Sequence, residues 1–406
     1  MSHNKLYEMK NVRHNIVSWF KDMALVWRRE FRLVTTDVGV MLFFIALPLV
    51  YPIVYTLIYN PEVVRDIPIA VVDNCRSQQS RELVRMADAT EAMAVAGYAA
   101  SLSEARRWMD EKGVYGIMVI PQDYSQKLGR GEQAVVSFYS DMSLLLRYRA
   151  FLTAITDIQL ATGARMRSET LSAIGVTSTS SSPVNNESFF LGDTEQGFAS
   201  FVIPGIVVLI LQQSMVLGIT MIGGTSRERR RRNGGIDPLE IQALPSATVI
   251  GKMLCYLVIY APLAIYILHY IPVMFSLPHI GDMADFLLFI FPMLIATAFF
   301  GLTLQIFVKE RETSLLVIVF TSVIFLFLSG LTWPRYAMNS VWTFLGDCVP
   351  AVWGVEGFIR INSNGATLAD NAHSYTMLWV LAGVYFLLSC VVVRFLRKRD
   401  RRLYAA

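Results

Sequence analysis

Six long stretches of this 406-residue sequence contain no Asp, Glu, Lys or Arg: 38–59, 199–222, 253–275, 286–308, 313–332 and 374–393, each of 20 to 24 residues. A helix rises about 1.5 Å per residue, so about 20 residues cross a hydrocarbon core roughly 30 Å thick. Lipid offers the backbone no hydrogen-bond partners, which leaves a helix as the reading for each run. Charge is scarce throughout, 17% of residues against 54% hydrophobic, and that balance excludes an ordinary soluble protein of this length. Other absences narrow the chemistry. No G-x-x-x-x-G-K-[ST] occurs, and the nearest string, Gly251-Lys252-Met253, lacks the upstream glycine and the hydroxyl residue, so the chain cannot cradle ATP phosphates by that device. H-E-x-x-H, G-x-S-x-G and a cleft-forming pair of carboxylates are missing too. The five histidines are scattered, at 3, 14, 269, 279 and 373, which leaves a hydrolase almost nothing to use. Of the four cysteines, Cys255 and Cys390 lie within apolar runs as small fillers, and the separation of Cys75 from Cys348 offers no support for a pair. No metal site and no catalytic residue is visible.

What is present is a layout of one span, some 140 polar residues, then five spans in quick succession. The segment 1–37 has seven Lys/Arg and no apolar core of signal-peptide type, and no small-residue cleavage site follows the first span, which reads as retained. Basic residues of short loops set orientation. With the N-terminus inside, twenty of the 36 Lys/Arg lie in inner segments, including Arg227–Arg232, Lys309, Arg311 and the basic tail 394–406, while the short outer loops hold two, Arg335 and Arg360. Both termini are therefore expected in the cytoplasm. The net charge of +4 reflects this orientation and does not point to nucleic acid.

Before the first span, residues 14–36 place Ile16, Val17, Trp19, Phe20, Met23, Val26, Trp27 and Phe31 at helical intervals among Lys21, Arg28, Arg29 and Arg32. That pattern suits an interfacial helix on the inner leaflet, with basic groups at lipid phosphates; the alternative is a plain extension of span one. The inserted domain, 60–198, alternates strand and helix. Strands are expected at 67–72, 92–99, 114–120 and 134–139. Helices are expected at 77–89, at 101–112 (with Ser101 and Glu104 in capping-box spacing), at 122–128 and along 144–174. The alternation argues a small α/β sheet outside the membrane, and the long helix is expected to return the chain toward it. The T-S-T-S-S-S stretch in 175–183 reads as a flexible loop. No G-x-G-x-x-G follows the first strand, so a nucleotide site there is weak. The fold class is thus an all-α six-helix transmembrane domain carrying an inserted α/β extracytoplasmic domain.

Inside the spans no ionisable group marks an ion or proton route, so any energy for transport must come from elsewhere. Gln212, Gln213 and Gln305 are the strongest polar features there; they serve as interhelical glue or line a substrate path. His269, near the outer end of span three, reads as an interfacial hydrogen-bonding residue. The inner segment 223–252 holds five arginines, more than orientation needs, then Asp237-Pro238-Leu239-Glu240, which suits the capped start of a short amphipathic helix able to dock a cytosolic partner. A solvated basic loop held to anionic lipid is the competing reading. After span five, 333–373 is rich in Pro, Gly and aromatics and reads as two short helices dipping back at the outer leaflet, tolerated at that depth where packed in protein or lining a cavity.

These two stretches, in this order, resemble the permease subunits of type-2 ABC exporters. Arg227-Glu228, Gly234, Leu239, Pro245 and Gly251-Lys252 look like that family's R-E, G-T, L, P, G-K pattern, where a coupling helix meets the ATPase; Gly235 stands where Thr is usual. Ser329-Gly330, Pro334, Trp342, Pro350, Gly357 and Arg360 are similar to its outer motif after span five. A large domain between spans one and two resembles the drug-efflux-like branch in bacterial inner membranes. The resemblance implies two six-span subunits, identical or paralogous, bound to two cytosolic ATPase subunits that carry ATP and Mg, with no cofactor on this chain. It further implies outward movement of an amphipathic, drug-like or lipid-like substrate, membrane lipid around the spans, and a periplasmic adaptor on the outer domain. A membrane-anchored sensor or scaffold is the alternative, against which five clustered spans are excessive for an anchor. A polytopic enzyme acting on lipid would need catalytic clusters that are missing.

Overall fold

All six charge-free runs fold as helices, and they differ sharply in how much protein surrounds them. The computed structural model describes residues 2–59, 64–111, 113–142, 145–173 and 197–404. Six helices are long and apolar enough to cross a membrane: span one, Val38–Tyr59; span two, Phe198–Arg232; span three, Pro245–Met274; span four, Met283–Leu304; span five, Arg311–Leu328; span six, Ala372–Asp400. Span two is the hub, with 83% of its apolar stretch buried against 22% for spans one and five. Its helix runs on through the arginines to Arg232 and ends where Gly234 and Gly235 take positive φ, 61° and 88°, backbone that side chains with a Cβ resist. Spans four and five stop four residues before their apolar runs do. Beyond span four, Gln305 spends its amide on a neighbouring carbonyl; beyond span five, Gly330 turns the chain at φ 89°.

The chain divides into two units, 1–60 with 190–406 and 61–189. In the first, helix α1 (Ser2–Thr36) lies along the start of span three. Val26, with Trp19 and Met23 beside it, packs on Ala243, Ala247 and Ile241, and the Trp19 indole donates to the Ser246 hydroxyl at 3.1 Å. Gly251 makes this approach possible: a Cβ there would come within 2.7 Å of the Met23 carbonyl oxygen. Ile16, Val17, Phe20 and Phe31 share another face of α1 and remain exposed, with Lys21, Arg28 and Arg32 beside them.

The second unit is a four-stranded sheet in the order β2-β1-β3-β4, from β1 (Ile67–Asp73), β2 (Met93–Tyr98), β3 (Gly116–Ile120) and β4 (Ser137–Ser140). The first three strands are parallel and β4 pairs antiparallel to β3. Period-two alternation decides the layers. Ile69 and Val71 point to one face, under helices α2 (Gln78–Asp88), α4 (Tyr124–Gly129) and α5 (Leu145–Ala173); Ala70 and Val72 point to the other, under α3 (Leu102–Glu111). Ser77 caps α2 through Ser80, and the Ser101 hydroxyl accepts from the Glu104 N–H at 3.2 Å at the start of α3. The first half of α5 buries Phe151, Ala154 and Ile158 on the sheet. The loop expected over 175–183 lies outside the described residues.

Candidate functional site: the joint at the basic end

At the arginine-rich end of the span bundle, four carboxylates from α1, the loop 233–244 and span six meet cations from α1 and from spans two, three and six. Asp237, almost wholly buried, accepts from Arg29 at 3.1 Å, Arg229 at 2.9 Å, the Ser226 hydroxyl at 2.6 Å and the Leu239 N–H at 3.1 Å. Burial alone would raise this carboxyl, but Arg229, Ser226 and the Leu239 N–H outweigh it and pull it down to about 2. Glu240 holds Arg230 at 2.7 Å and Arg397 at 2.6 Å, so two guanidiniums offset its burial and keep it below the usual carboxylate range. Asp400 takes Arg230 at 3.1 Å, and Arg227 stands at 4.0 Å. Glu30, from α1, takes Lys252 at 3.2 Å and the Tyr256 hydroxyl at 2.5 Å. Desolvation of Glu30 opposes ionisation, and Lys252, Arg29 and Tyr256 overcome it and lower its pKa.

The loop between spans two and three is therefore not the element its sequence suggests. Residues 233–244 contain no helix, and the helix expected to open at Asp237 does not form. The Asp237 carboxylate is taken by Arg29 and Arg229, and its one local bond, to the Leu239 N–H, closes a turn. Nor do the arginines form a solvated loop. Arg227 through Arg232 are the last turns of span two, with Arg227 and Arg230 buried. Arg397 ties span six to the loop, donating to the Ala243 carbonyl at 2.7 Å besides its bond to Glu240. The loop leaves three large apolar side chains outward: Ile236, Leu239 and Leu244 are 51%, 51% and 59% exposed.

The seven residues expected at an ATPase contact thus fall into different places. Leu239 is exposed in the loop, beside the exposed Gly234, and Pro245 opens the span-three helix. Arg227 donates to the Val308 carbonyl beyond span four, and Glu228 accepts from the Arg311 N–H at 2.7 Å at the start of span five. Gly251 and Lys252 serve the seat of α1. Glu30, Arg397 and Asp400 have no part in the sequence reading, and Asp237 and Glu240 enter it only as a helix start. Their signal is an isolated acid inside a basic run, as in Arg29-Glu30 and Arg399-Asp400-Arg401, or an acid placed just past the arginines of span two.

At the opposite end of the bundle, the segment after span five forms a short turn at Arg335–Ala337 and two helices, α6 (Ser340–Asp347) and α7 (Pro350–Asn364). Gly330 and Pro334 bend the chain into it, Pro350 opens α7, and Trp342 is exposed on α6. Arg335, noted in the sequence only as a loop charge, is its fastener: it binds Asp347 and Glu356, the latter at 2.7 Å, and lies 4.7 Å over the Trp353 ring. Arg360 bonds Glu356 at 2.8 Å, and Gly357 admits the Phe289 ring of span four, which a Cβ would meet at 2.2 Å. His269 hydrogen-bonds His279 at 2.6 Å, and His279 reaches the Asn362 side-chain oxygen at 2.5 Å. Of the three glutamines, Gln305 donates to the Ile219 carbonyl at 2.8 Å and ties span four to span two. Gln212 is fully buried and Gln213 half-buried on span two, their amides unpaired among the described residues. No group of three or more His, Cys, Asp or Glu able to hold a metal occurs among the described residues.

A bundle of six long apolar helices, hubbed on the second and interrupted after the first by an α/β unit, defines a multi-pass membrane protein of the transporter kind. Over residues 39–391 the chain matches the family described as ABC-2 family transporter protein, and it belongs to that family. It is a transmembrane permease component, a transport subunit of a kind that works with an ABC ATPase partner. A search of curated proteins finds no match.

Proposed function

We propose that this permease moves an amphipathic, drug-like or lipid-like substrate outward across a bacterial inner membrane, driven by ATP hydrolysed on a cytosolic partner that docks on the loop 233–244. One observation carries the reading: the loop is fixed from behind by Asp237 and Glu240 and turns Ile236, Leu239 and Leu244 outward. A partner pressing on those side chains pushes on a rigid body, because the same carboxylates grip α1, span two and span six. Arg227, Glu228, Gly251 and Lys252 transmit the push and do not receive it. Both termini lie in the cytoplasm. The exposed apolar face of α1 rests in the inner leaflet with Lys21, Arg28 and Arg32 at the phosphates. Two copies, or this chain and a paralogue, enclose the path, with the little-buried spans one and five available to pair. Gln213 lines the path, and α6 and α7 gate its outer end. The 61–189 unit stands in the periplasm, where an adaptor would meet it.

Co-purification of the full chain with its ATPase in detergent, with identification of the bound subunits, tests the reading. Leu239→Asp is expected to release the ATPase and abolish ATP-driven transport while the thermal unfolding midpoint of the permease stays within about 1 °C of the parent. Retention of the ATPase by Leu239→Asp and Ile236→Asp alike, with transport intact, would remove this loop from the contact. Labelling of a cysteine placed at Asn233 from the periplasmic side would overturn the topology.

A further inference from the structure

A small cavity lies within the basic-end joint, with a volume of about 40 Å³. Its walls include Arg29, Arg227, Arg230, Lys252 and Arg397, with Glu240 as the acidic member. Val393 and Leu396 of span six close it with apolar surface, which lowers the local dielectric and strengthens every charge interaction inside. The joint as a whole carries six cationic side chains, those five and Arg229, against four carboxylates, Glu30, Asp237, Glu240 and Asp400. Two positive charges are left over, and Arg399 adds another at the rim. Excess charge held away from water is costly unless something of opposite sign stands beside it. The geometry offers the place. Arg227 is 6% exposed, and its Nη2 has no hydrogen-bond partner among the described residues; the Nε of Arg29 is likewise buried and unpartnered.

We infer that this cavity is a binding site for one monatomic anion of the chloride type, held by Arg227 and Arg29 and neutralising part of the joint's excess positive charge. By the measure in which one water needs about 10–15 Å³, a cavity of about 40 Å³ has room for one chloride with a water or two beside it. A neutral water would satisfy the free N–H groups without touching the charge, whereas a halide does both. Because the anion touches side chains of α1, span two, span three and span six, its occupancy tightens the connection between the N-terminal helix and the bundle.

The test uses the purified full-length chain in detergent, exchanged into gluconate and titrated with chloride or bromide at constant ionic strength. The unfolding midpoint is expected to rise by about 2 °C at tenfold the dissociation constant and logarithmically beyond it, with no rise on added gluconate. Crystals grown in bromide are expected to show an anomalous peak between Arg227 and Arg29. Arg227→Gln is expected to abolish both the peak and the halide-dependent rise. Should that variant fail to fold, the bromide peak in the parent protein carries the decision alone. A midpoint indifferent to halide, or a cavity holding only water in bromide crystals, overturns the site. Neither readout involves the ATPase, so loss of the docking reading would leave this result standing, and the reverse also holds.

Discussion

The two ends of the span bundle are built on different principles. At the basic end, ion pairs join residues remote in sequence: Arg29 to Asp237, Lys252 to Glu30, Arg230 to Asp400, Arg397 to Glu240. At the opposite end the ion pairs of Arg335 are local, to Asp347 and Glu356, and the attachment to the bundle is by packing, Gly357 against Phe289, and by hydrogen bonds between Asn362 and His279 and from the Tyr385 hydroxyl to the Cys348 carbonyl. Charge at the first end makes one body of α1, the loop and three spans. The second end is a self-fastened insert lying on apolar surface, where sliding breaks no ion pair to another span. That contrast suits a machine pushed at one end and opening at the other. It also predicts that the two ends will fail differently.

The largest expected effect is at the seat of α1. Glu30→Ala leaves Lys252 buried without its carboxylate, and loss of one partner of a buried pair costs about 3–5 kcal/mol. Glu30→Gln combined with Lys252→Met removes both charges and is expected to recover most of the loss. Thermal unfolding of the three chains in detergent measures this, and a single variant no worse than the double would show the pair to be idle.

Much of this architecture could be read in the sequence, because it depends on periodicity and on absence. Runs without charge gave all six spans, though charged ends carry the helices of spans two, three and six about seven to ten residues further; strand–helix alternation gave the α/β unit, and Ser101-x-x-Glu104 marked the start of α3. The joint could not be read in that way. Asp237-Pro238-Leu239-Glu240 has good helix-opening chemistry, but Arg29 reaches it from 208 residues away and claims the carboxylate first. Likewise Arg227 resembles a surface contact residue until the fold brings the Val308 carbonyl to it. Local pattern carries no record of which distant group will arrive.

Asp237 gives the basic end a pH dependence. Its carboxyl lies at about 2 against an ordinary 3.8, and a depressed pKa stabilises the fold fully above about pH 4, the contribution being lost as pH falls toward 2. A shift of this size is worth about 2 kcal/mol. The unfolding midpoint of the parent is expected to fall across that interval, and Asp237→Asn to flatten that part of the curve. At the opposite end the comparable sensitivity is steric. Gly357→Ala forces the Phe289 ring aside at a cost of about 1–3 kcal/mol, with no change in acid response, and Phe289→Leu is expected to restore part of the loss.

The smallest effect belongs to Arg231, and it isolates what burial does. Arg230 and Arg231 are neighbours on the same helix and both are paired. Arg231 bonds Glu310 at 3.3 Å with its side chain 66% exposed and its partner's 52%, where water screens the attraction and ordering two long side chains offsets the rest. Arg230 spans Glu240 and Asp400 with its side chain 10% exposed, so its removal leaves Glu240 with Arg397 alone and takes from Asp400 its nearest cation. Arg231→Ala is expected to move the unfolding midpoint by less than about 1 °C. Arg230→Ala should move it several times further, and the gap should persist at high salt, which weakens the exposed pair and hardly reaches the buried one. Equal shifts for the two variants would mean that the basic end is held by general charge density and not by particular buried pairs.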